Sequence, residues 1–433
     1  MPLPEKDRQD QSSEVVVDSD YLDYNNPEVV KTDHSQDPEF LRDVLPYFQP
    51  LLLQVGVHVA FWYTGNMLAG AWLMYIGTPL YNYFMLYDDH NVARKNEKVW
   101  MQSKLFLIPM YAYELAQTLS WIYCMMLFST KYQPDHWIFA MKPESTAHTI
   151  LFYFVVGFFG GISSLAGHEL VHHKHWIHKF GGSIPYAQFL YSHFWDEHTK
   201  GHHKYIATDE DPVSHAVGTS SYEAIFKAAI ATHTKTWERE ITRLRKQGVE
   251  NPLMQVLYNR MTHYFVLHVS MCYAIYECFG YGGLQFQLLY TVQGIFWLEM
   301  INYLEHYGLR RLKDENGIHE SINQIHSWSS VSSPVGFRIQ RHADHHAHVF
   351  RPYQILRRFD RAPHMPYEYI LMIFIGLIPP LFRLIMDPRV KSIQDAQRGI
   401  RNNDQWNNEM PPSEADKRRF FISNSFLAFA TAI

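Results

Sequence analysis

The chain has 433 residues, a formal net charge of −5 and 47% hydrophobic residues. Its Lys and Arg are dispersed without a basic stripe, so we expect no nucleic-acid partner. The three cysteines, Cys124, Cys272 and Cys278, lie in apolar stretches without a CxxC pair. That spacing excludes a disulfide framework, a zinc knuckle and an iron–sulfur motif.

The chain opens with an acidic, polar stretch, and we expect residues 1–44 to form a flexible tail. The tail lacks the composition of a cleavable signal or transit peptide, so the first apolar segment is expected to act as the insertion signal. Several apolar runs then approach the roughly 20 residues that a helix needs to cross a bilayer. We predict an all-α membrane protein with six transmembrane helices, at about 45–63, 66–87, 104–129, 146–167, 254–279 and 283–303.

Basic residues indicate how these spans are oriented. Segments 88–104 and 168–253 are rich in Lys and Arg, whereas 64–66 and 280–282 contain none. Because basic residues prefer the cytoplasmic side, both termini and the long polar segments are expected there, in a bacterial inner membrane or a eukaryotic internal membrane. Segments 168–253 and 304–365 are too long for simple connectors, and we expect them to form a histidine-rich catalytic cap.

The C-terminal part is expected to stay out of the membrane core. The apolar segment 366–386 is interrupted by Pro379-Pro380, which favours an interfacial position over a span. The main domain is expected to cover 45–390. Residues 391–433 are predicted to be a polar tail with a short apolar end.

Histidines fall into short clusters at metal-ligand spacing. The clusters are His168-Glu-Leu-Val-His172, His198-Thr-Lys-Gly-His202-His203 and His342-Ala-Asp-His345-His346, with His306 standing alone. Positions i and i+4 share a helix face, so the pattern predicts that His198 and His202 grip one ion, while His203 points about 100° away. Nine imidazoles exceed what one ion can hold, so we predict two metals in one site.

Carboxylates adjoin these clusters. Glu169, Glu197, Glu305 and Asp344 are expected to accept the second N–H of a ligating ring. Further histidines near the clusters are expected to be structural or solvent-facing: His173, His175, His178, His193 and His215.

The histidines could also belong to a zinc protease or to a surface loop. The motif His168-Glu-Leu-Val-His172 alone would fit a zinc protease with Glu169 as general base, but it leaves the other seven histidines without a role. A histidine-rich interfacial loop that arose by chance would not show helical ligand spacing in distant clusters. Nine histidines on two ions give five- or six-coordinate sites open to oxygen, which favours iron over zinc, while the spacing alone does not exclude copper.

Longer motifs surround the clusters. They read Glu197-His-Thr-Lys-Gly-His-His203, Ala207-Thr-Asp-Glu-Asp-Pro212, Asn302-Tyr-Leu-Glu-His-Tyr-Gly-Leu309, Gln340-Arg-His-Ala-Asp-His-His-Ala-His348, Arg351-Pro-Tyr-Gln-Ile-Leu-Arg357 and Met386-Asp-Pro-Arg-Val390. Together with the first cluster, these blocks resemble the membrane-bound alkane 1-monooxygenase family, within the integral-membrane fatty-acid desaturase/hydroxylase superfamily. The resemblance covers about 45–390.

The resemblance implies a six-helix bundle, a non-haem pair of irons, and O2-dependent hydroxylation of the terminal carbon of medium- or long-chain alkanes or related alkyl lipids. Electrons would come from a separate rubredoxin or ferredoxin, fed by an NAD(P)H reductase. An apolar channel would select the substrate by its shape. Large side chains that would either set its depth or simply pack the helices together are Trp62, Trp72, Met74 and Phe84.

The chain departs from the family pattern at three places near the cap. They are Tyr87-Asp-Asp-His90, the stretch after His326-Ser-Trp328, and Ala343, where the family usually has serine. None removes a predicted ligand, but they leave the substrate open. The alternatives are a fatty-acyl desaturase or hydroxylase, a xylene-type methyl monooxygenase, and a non-catalytic structural subunit of a membrane complex.

Overall fold

A computed structural model describes residues 37–78, 80, 91–330, 336–359 and 362–399. Within these ranges every regular element is helical, and β-pairing is limited to two isolated bridges, which confirms the predicted all-α class. Most of the predicted N-terminal tail, the end of the second predicted span with Phe84 and Tyr87, and residues 400–433 lie outside the described ranges.

The helices follow in chain order. They are α1 Phe40–Thr64, α2 Leu68–Gly77, α3 Arg94–Gln102, α4 Leu107–Leu127, α5 Trp137–Ala140, α6 Thr146–Val171, α7 Trp176–Gln188, α8 Phe194–Glu197, a π-helical turn His198–His202, α9 His203–Tyr205, α10 Ser221–Lys246, α11 Pro252–Tyr258, α12 Arg260–His306, α13 His342–Ala347, α14 Tyr369–Gly376 and α15 Pro379–Gly399. Short 3-10 turns lie at Leu45–Phe48 within α1 and at Lys104–Phe106, Gln324–His326 and Tyr353–Ile355.

Two of the described helices, α1 and α6, are long and apolar enough to cross a membrane. They correspond to the predicted spans 45–63 and 146–167. Helices α14 and α15 would count as a third span if taken together, but they meet at a 120° bend. That bend follows from Pro379-Pro380, since a proline ring breaks helical hydrogen bonding.

Three further predicted spans are helical but less apolar, and the end of 66–87 lies outside the described residues. Segment 104–129 contains α4, and segments 254–279 and 283–303 lie mainly within α12. Polar side chains such as Glu114 and Gln117 of α4 and Gln287 of α12 are buried within these helices, which lowers their apolar character. The count of six spans therefore stays a prediction.

Helix α12 begins at a well-formed cap and is broken once. The Asn259 side chain accepts a hydrogen bond from the Met261 amide at 2.9 Å. The break lies at Gly280, whose φ of 70° and ψ of −163° suit glycine and few other residues. The predicted connection at 280–282 is thus a break inside one helical segment.

The positions of the histidine-bearing ends of α6 and α12 are set by close packing between these helices. A Cβ at Gly157 would overlap Gln293, and a Cβ at Gly161 would overlap Trp297. From the first contact to the second, both helices move forward by four residues. Helix α6 therefore runs parallel to the second half of α12. Their carboxyl ends, and with them His168 and His306, therefore reach the same end of the bundle.

Candidate metal centre

All nine predicted ligand histidines come together in two adjoining clusters. The five-histidine cluster contains His168, His172, His198, His203 and His345, and the four-histidine cluster contains His202, His306, His342 and His346. In each cluster one nitrogen atom from every ring lies within 4.8 Å of the others. Segments up to 178 residues apart in the sequence, from His168 to His346, thus converge on one centre.

Neighbouring histidines are divided between the clusters. His198 lies with His203, at 2.9 Å between their Nε2 atoms, and not with His202 as helical spacing predicted. The reason is the π-helical turn His198–His202, whose i→i+5 hydrogen bonding changes which residues share a face. His345 and His346 are likewise divided, as one joins each cluster.

The nitrogens of the five-histidine cluster form a chain of close contacts. The Nε2 atom of His198 lies 3.1 Å from that of His172 and 2.9 Å from that of His203, which is also 3.2 Å from that of His345. A ring nitrogen carries either one proton or one in-plane lone pair. One ring nitrogen therefore cannot hydrogen-bond to two neighbouring ring nitrogens at once. A cation placed among the lone pairs can bind all of these nitrogens.

The four-histidine cluster repeats this pattern. The Nε2 atom of His346 lies 3.2 Å from that of His202 and 2.9 Å from that of His342, which is 3.1 Å from that of His306. The Glu305 carboxylate joins this group, since its Oε2 is 3.2 Å from the His342 Nε2. Its other oxygen accepts a hydrogen bond from the Tyr369 hydroxyl. Glu305 therefore faces the nitrogen lone pairs directly, in contrast to the expected position behind a ring.

These distances discriminate between coordination geometries. At metal–nitrogen bonds of 2.0–2.1 Å, two ligands at a right angle are about 3.0 Å apart and two at the tetrahedral angle about 3.4 Å. The close nitrogen pairs here lie at 2.9–3.2 Å. The residues fit five- or six-coordinate metals with right-angled ligands, which suits redox iron better than closed tetrahedral zinc.

Burial keeps these rings in the form that binds metal. His198, His203, His345 and His346 are all buried, and their removal from water lowers the pKa of each ring. They are therefore neutral at pH 7, with a free lone pair for a cation.

Asp211 is a functional residue that the residue pattern alone did not identify. Its oxygens lie 3.0 and 3.1 Å from Nδ1 of His202, and both side chains are buried. Burial lowers the pKa of His202, but the charge and hydrogen bond of Asp211, with smaller effects of Glu197 and Glu299, raise it overall. Asp211 lies in the sequence motif that ends at Pro212. That motif was the signal in the sequence that could have identified Asp211.

The remaining predicted carboxylates make different contacts. Glu169 accepts a hydrogen bond from the Tyr353 amide at 3.1 Å. The Arg239 Nη2 atom lies 3.5 Å from the Glu197 Oε1 atom, so these two side chains form a salt bridge. Burial raises the pKa of Glu197 to about 8.

Asp344 anchors α13 to the segment that follows it. Its carboxylate accepts hydrogen bonds from Arg351 Nη1 at 2.7 Å and from the Arg357 amide at 2.6 Å. The role of Glu169, Glu197 and Asp344 toward the metals stays a prediction.

The predicted channel residues differ in their positions. Met74 is fully buried, whereas Trp72 is 59% exposed and lies on the outside of the bundle. The two side chains differ because residues two apart in a helix point in nearly opposite directions, and their channel role stays a prediction. Trp62 donates a hydrogen bond to the Tyr123 hydroxyl at 3.0 Å. Phe84 is outside the described residues.

The sequence matches known proteins over its histidine-bearing part. The family model described as fatty acid desaturase matches residues 144–376, a segment that contains all nine predicted ligand histidines. Alkane 1-monooxygenase 1 from Pseudomonas aeruginosa is 38% identical over 236 residues, which cover 54% of this chain and 61% of that protein. Alkane 1-monooxygenase from Ectopseudomonas oleovorans is 35% identical, over 54% of this chain and 59% of that protein.

A more distant relative carries another activity in its name. The xylene/toluene monooxygenase hydroxylase component from Pseudomonas putida is 28% identical, over 53% of this chain and 62% of that protein. The chain thus spans about three-fifths of the length of the curated relatives it matches.

Proposed function

This chain belongs to the fatty acid desaturase family, and from that premise we propose that it is a membrane-bound monooxygenase. Its proposed reaction is O2-dependent hydroxylation of the terminal methyl group of medium- or long-chain alkanes, or of related alkyl lipids, to a primary alcohol. The relatives named alkane 1-monooxygenase support this choice within the family.

The observation that carries the proposal is the division of nine histidines into a five-ring and a four-ring cluster. We propose that each cluster holds one iron, with Glu305 beside the second. The irons, reduced by two electrons, would activate O2. The chain's own residues fix the directions of the nine rings and exclude water, because eight of the nine are buried.

The helical bundle would guide the substrate. An alkane has no polar handle, so its selection depends on the shape of an apolar passage. The residues of α6 that precede His168 include buried Phe158, Phe159, Ile162 and Leu165. Such side chains offer contact area without hydrogen bonds, as an alkyl chain requires.

The proposed reaction consumes electrons. We propose rubredoxin or ferredoxin, with an NAD(P)H reductase, as their source. The enrichment of Lys and Arg in 168–253 places the metal centre on the cytoplasmic side in this proposal.

One reconstitution experiment tests the function. The full-length protein would be combined with NADH, reductase and rubredoxin, and supplied with octane, hexadecane, an aryl methyl substrate and a fatty-acyl ester. We expect primary alkanols, with bound iron measured in the same sample. An alkene would indicate a desaturase, a benzylic alcohol would indicate a xylene-type enzyme, and a metal-free inert protein would indicate a structural subunit.

A further inference from the structure

A row of buried hydroxyl and titratable side chains lies outside the metal ligands. We propose that His193, Thr232, Tyr191 and Glu299 carry protons from the polar surface of the protein to the four-histidine cluster. The inference rests on the proposed function, because a monooxygenase must take up two protons for each O2 that it reduces. From the sequence His193 was expected to be structural or solvent-facing, but it is 1% exposed.

The four side chains form a continuous row. Nε2 of His193 lies 3.2 Å from Oγ1 of Thr232, which is 2.7 Å from the Tyr191 hydroxyl. That hydroxyl donates a hydrogen bond to Oε1 of Glu299 at 2.9 Å. Every member is buried. Each contact joins groups that can both give and receive a proton, which is what a relay requires.

The outer end of the row reaches the surface of α10. The ring of His193 lies 3.7 Å, centre to centre, from the ring of His233. His233 is exposed. On its own face of α10 it lies among exposed Phe226, Ile230 and Trp237, and exposed Lys227, Lys235 and Glu238 lie on the other faces of the helix. An exposed imidazole exchanges protons with water, so His233 and His193 form the outer end of the row.

The inner end of the row reaches the metal centre. The carboxylate of Glu299 accepts a hydrogen bond from Asn302 at 3.1 Å, one turn further along α12 toward His306. Glu299, Asn302 and His306 occupy positions i, i+3 and i+7 of α12 and so share one face of the helix. A proton delivered to Glu299 is therefore held two helical turns before His306, among buried side chains.

The hydrogen bonds can all point the same way. The His193 N–H donates to Thr232, the Thr232 hydroxyl donates to Tyr191, and Tyr191 donates to Glu299. As one proton reaches Glu299, Nε2 of His193 gives up its proton and Nδ1 takes one from the surface side, so the ring stays uncharged. Over a turnover, the alkyl methyl group, O2, two electrons from the donor protein and two protons give the alcohol and one water.

The row is tested by breaking one link without changing its shape. Tyr191→Phe removes the hydroxyl and keeps the ring. Tyr186→Phe is the matched control, because Tyr186 is equally buried, also packs against Phe194, and only donates to the Ser164 carbonyl. Thr232→Val breaks the neighbouring link with a side chain of the same shape.

The measurement does not require turnover. Iron-loaded full-length protein would be reduced anaerobically with dithionite in weakly buffered solution, and proton uptake would be followed with a pH indicator. We expect proton uptake to slow by about tenfold or more in Tyr191→Phe and Thr232→Val. One positioned proton-transfer group typically contributes a larger factor to a reaction rate, about 100-fold to 10,000-fold. Tyr186→Phe should match the wild type, and iron per chain should be equal in all four proteins.

Two results would overturn the relay. One is proton uptake in both row variants as fast as in Tyr186→Phe, and the other is a wild-type protein that takes up no protons on reduction. Failure of the proposed function has a different signature. In that case the wild type yields no alkanol in the reconstituted assay, whatever the order of the proton-uptake rates.

Discussion

Replacement of Asp211 with Asn tests whether the four-histidine cluster holds a metal. The Asp211 carboxylate lies 3.0 and 3.1 Å from Nδ1 of His202. Asn retains one carbonyl acceptor but loses the negative charge that makes the imidazole a better ligand. Because such an outer partner is typically worth a factor of 10–100 in metal affinity, we expect a loss of about 1.4–2.7 kcal/mol of binding free energy.

The assay is iron retention. Purified full-length protein would be dialysed against increasing concentrations of a chelator, and iron per chain would be measured at each step. Asp211→Asn should lose about half of its iron at a chelator concentration that leaves the wild type loaded, because the five-histidine cluster does not include His202. Asp209→Asn is the control, since the Asp209 side chain lies in the same loop but is 90% exposed. Equal iron retention in the two variants would refute the reasoning.

Three further outcomes are expected. His345→Ala and His346→Ala should each lower bound iron toward one per chain but give different Mössbauer spectra, because these neighbours belong to different clusters; identical spectra would contradict the division. Met74→Trp should shift product formation toward shorter alkanes, since Met74 is fully buried; an unchanged chain-length profile would remove it from the channel. Asp344→Asn should destabilise the protein by about 3 kcal/mol at pH 7, because it removes the buried carboxylate that pairs with the Arg351 guanidinium. Burial raises the pKa of Asp344, but His348 and Arg351 lower it overall, so this stabilisation is present above the unfolded pKa and is lost as pH falls through the folded one. The thermal midpoints of Asp344→Asn and the wild type should therefore converge in acid, and a gap independent of pH would argue against the ion pair.

The sequence indicated that the histidine segments converge, because i, i+4 spacing in separate clusters is a local signal of a shared face. It also separated His202 from His203, which points about 100° away, but the pairing of His198 with His203 was beyond it. That pairing depends on a π-helical turn at His198–His202, and this turn has no marker in the residue pattern. Ordinary helical geometry therefore paired His198 with the wrong partner.

Side-chain contacts between distant elements were also beyond the sequence. Asp211 lay inside a motif that carried the family resemblance, yet nothing in one sequence tells which of Asp209, Glu210 and Asp211 faces a ring. The row from His193 to Glu299 joins residues 106 positions apart and becomes visible only when the helices are packed.

The number and kind of metals bound by the wild-type protein test the central claim most directly. Protein produced with iron and zinc both available would be analysed by elemental analysis and Mössbauer spectroscopy. The account predicts about two irons per chain, in nitrogen-rich five- or six-coordinate environments. A single tightly held tetrahedral zinc per chain would contradict it.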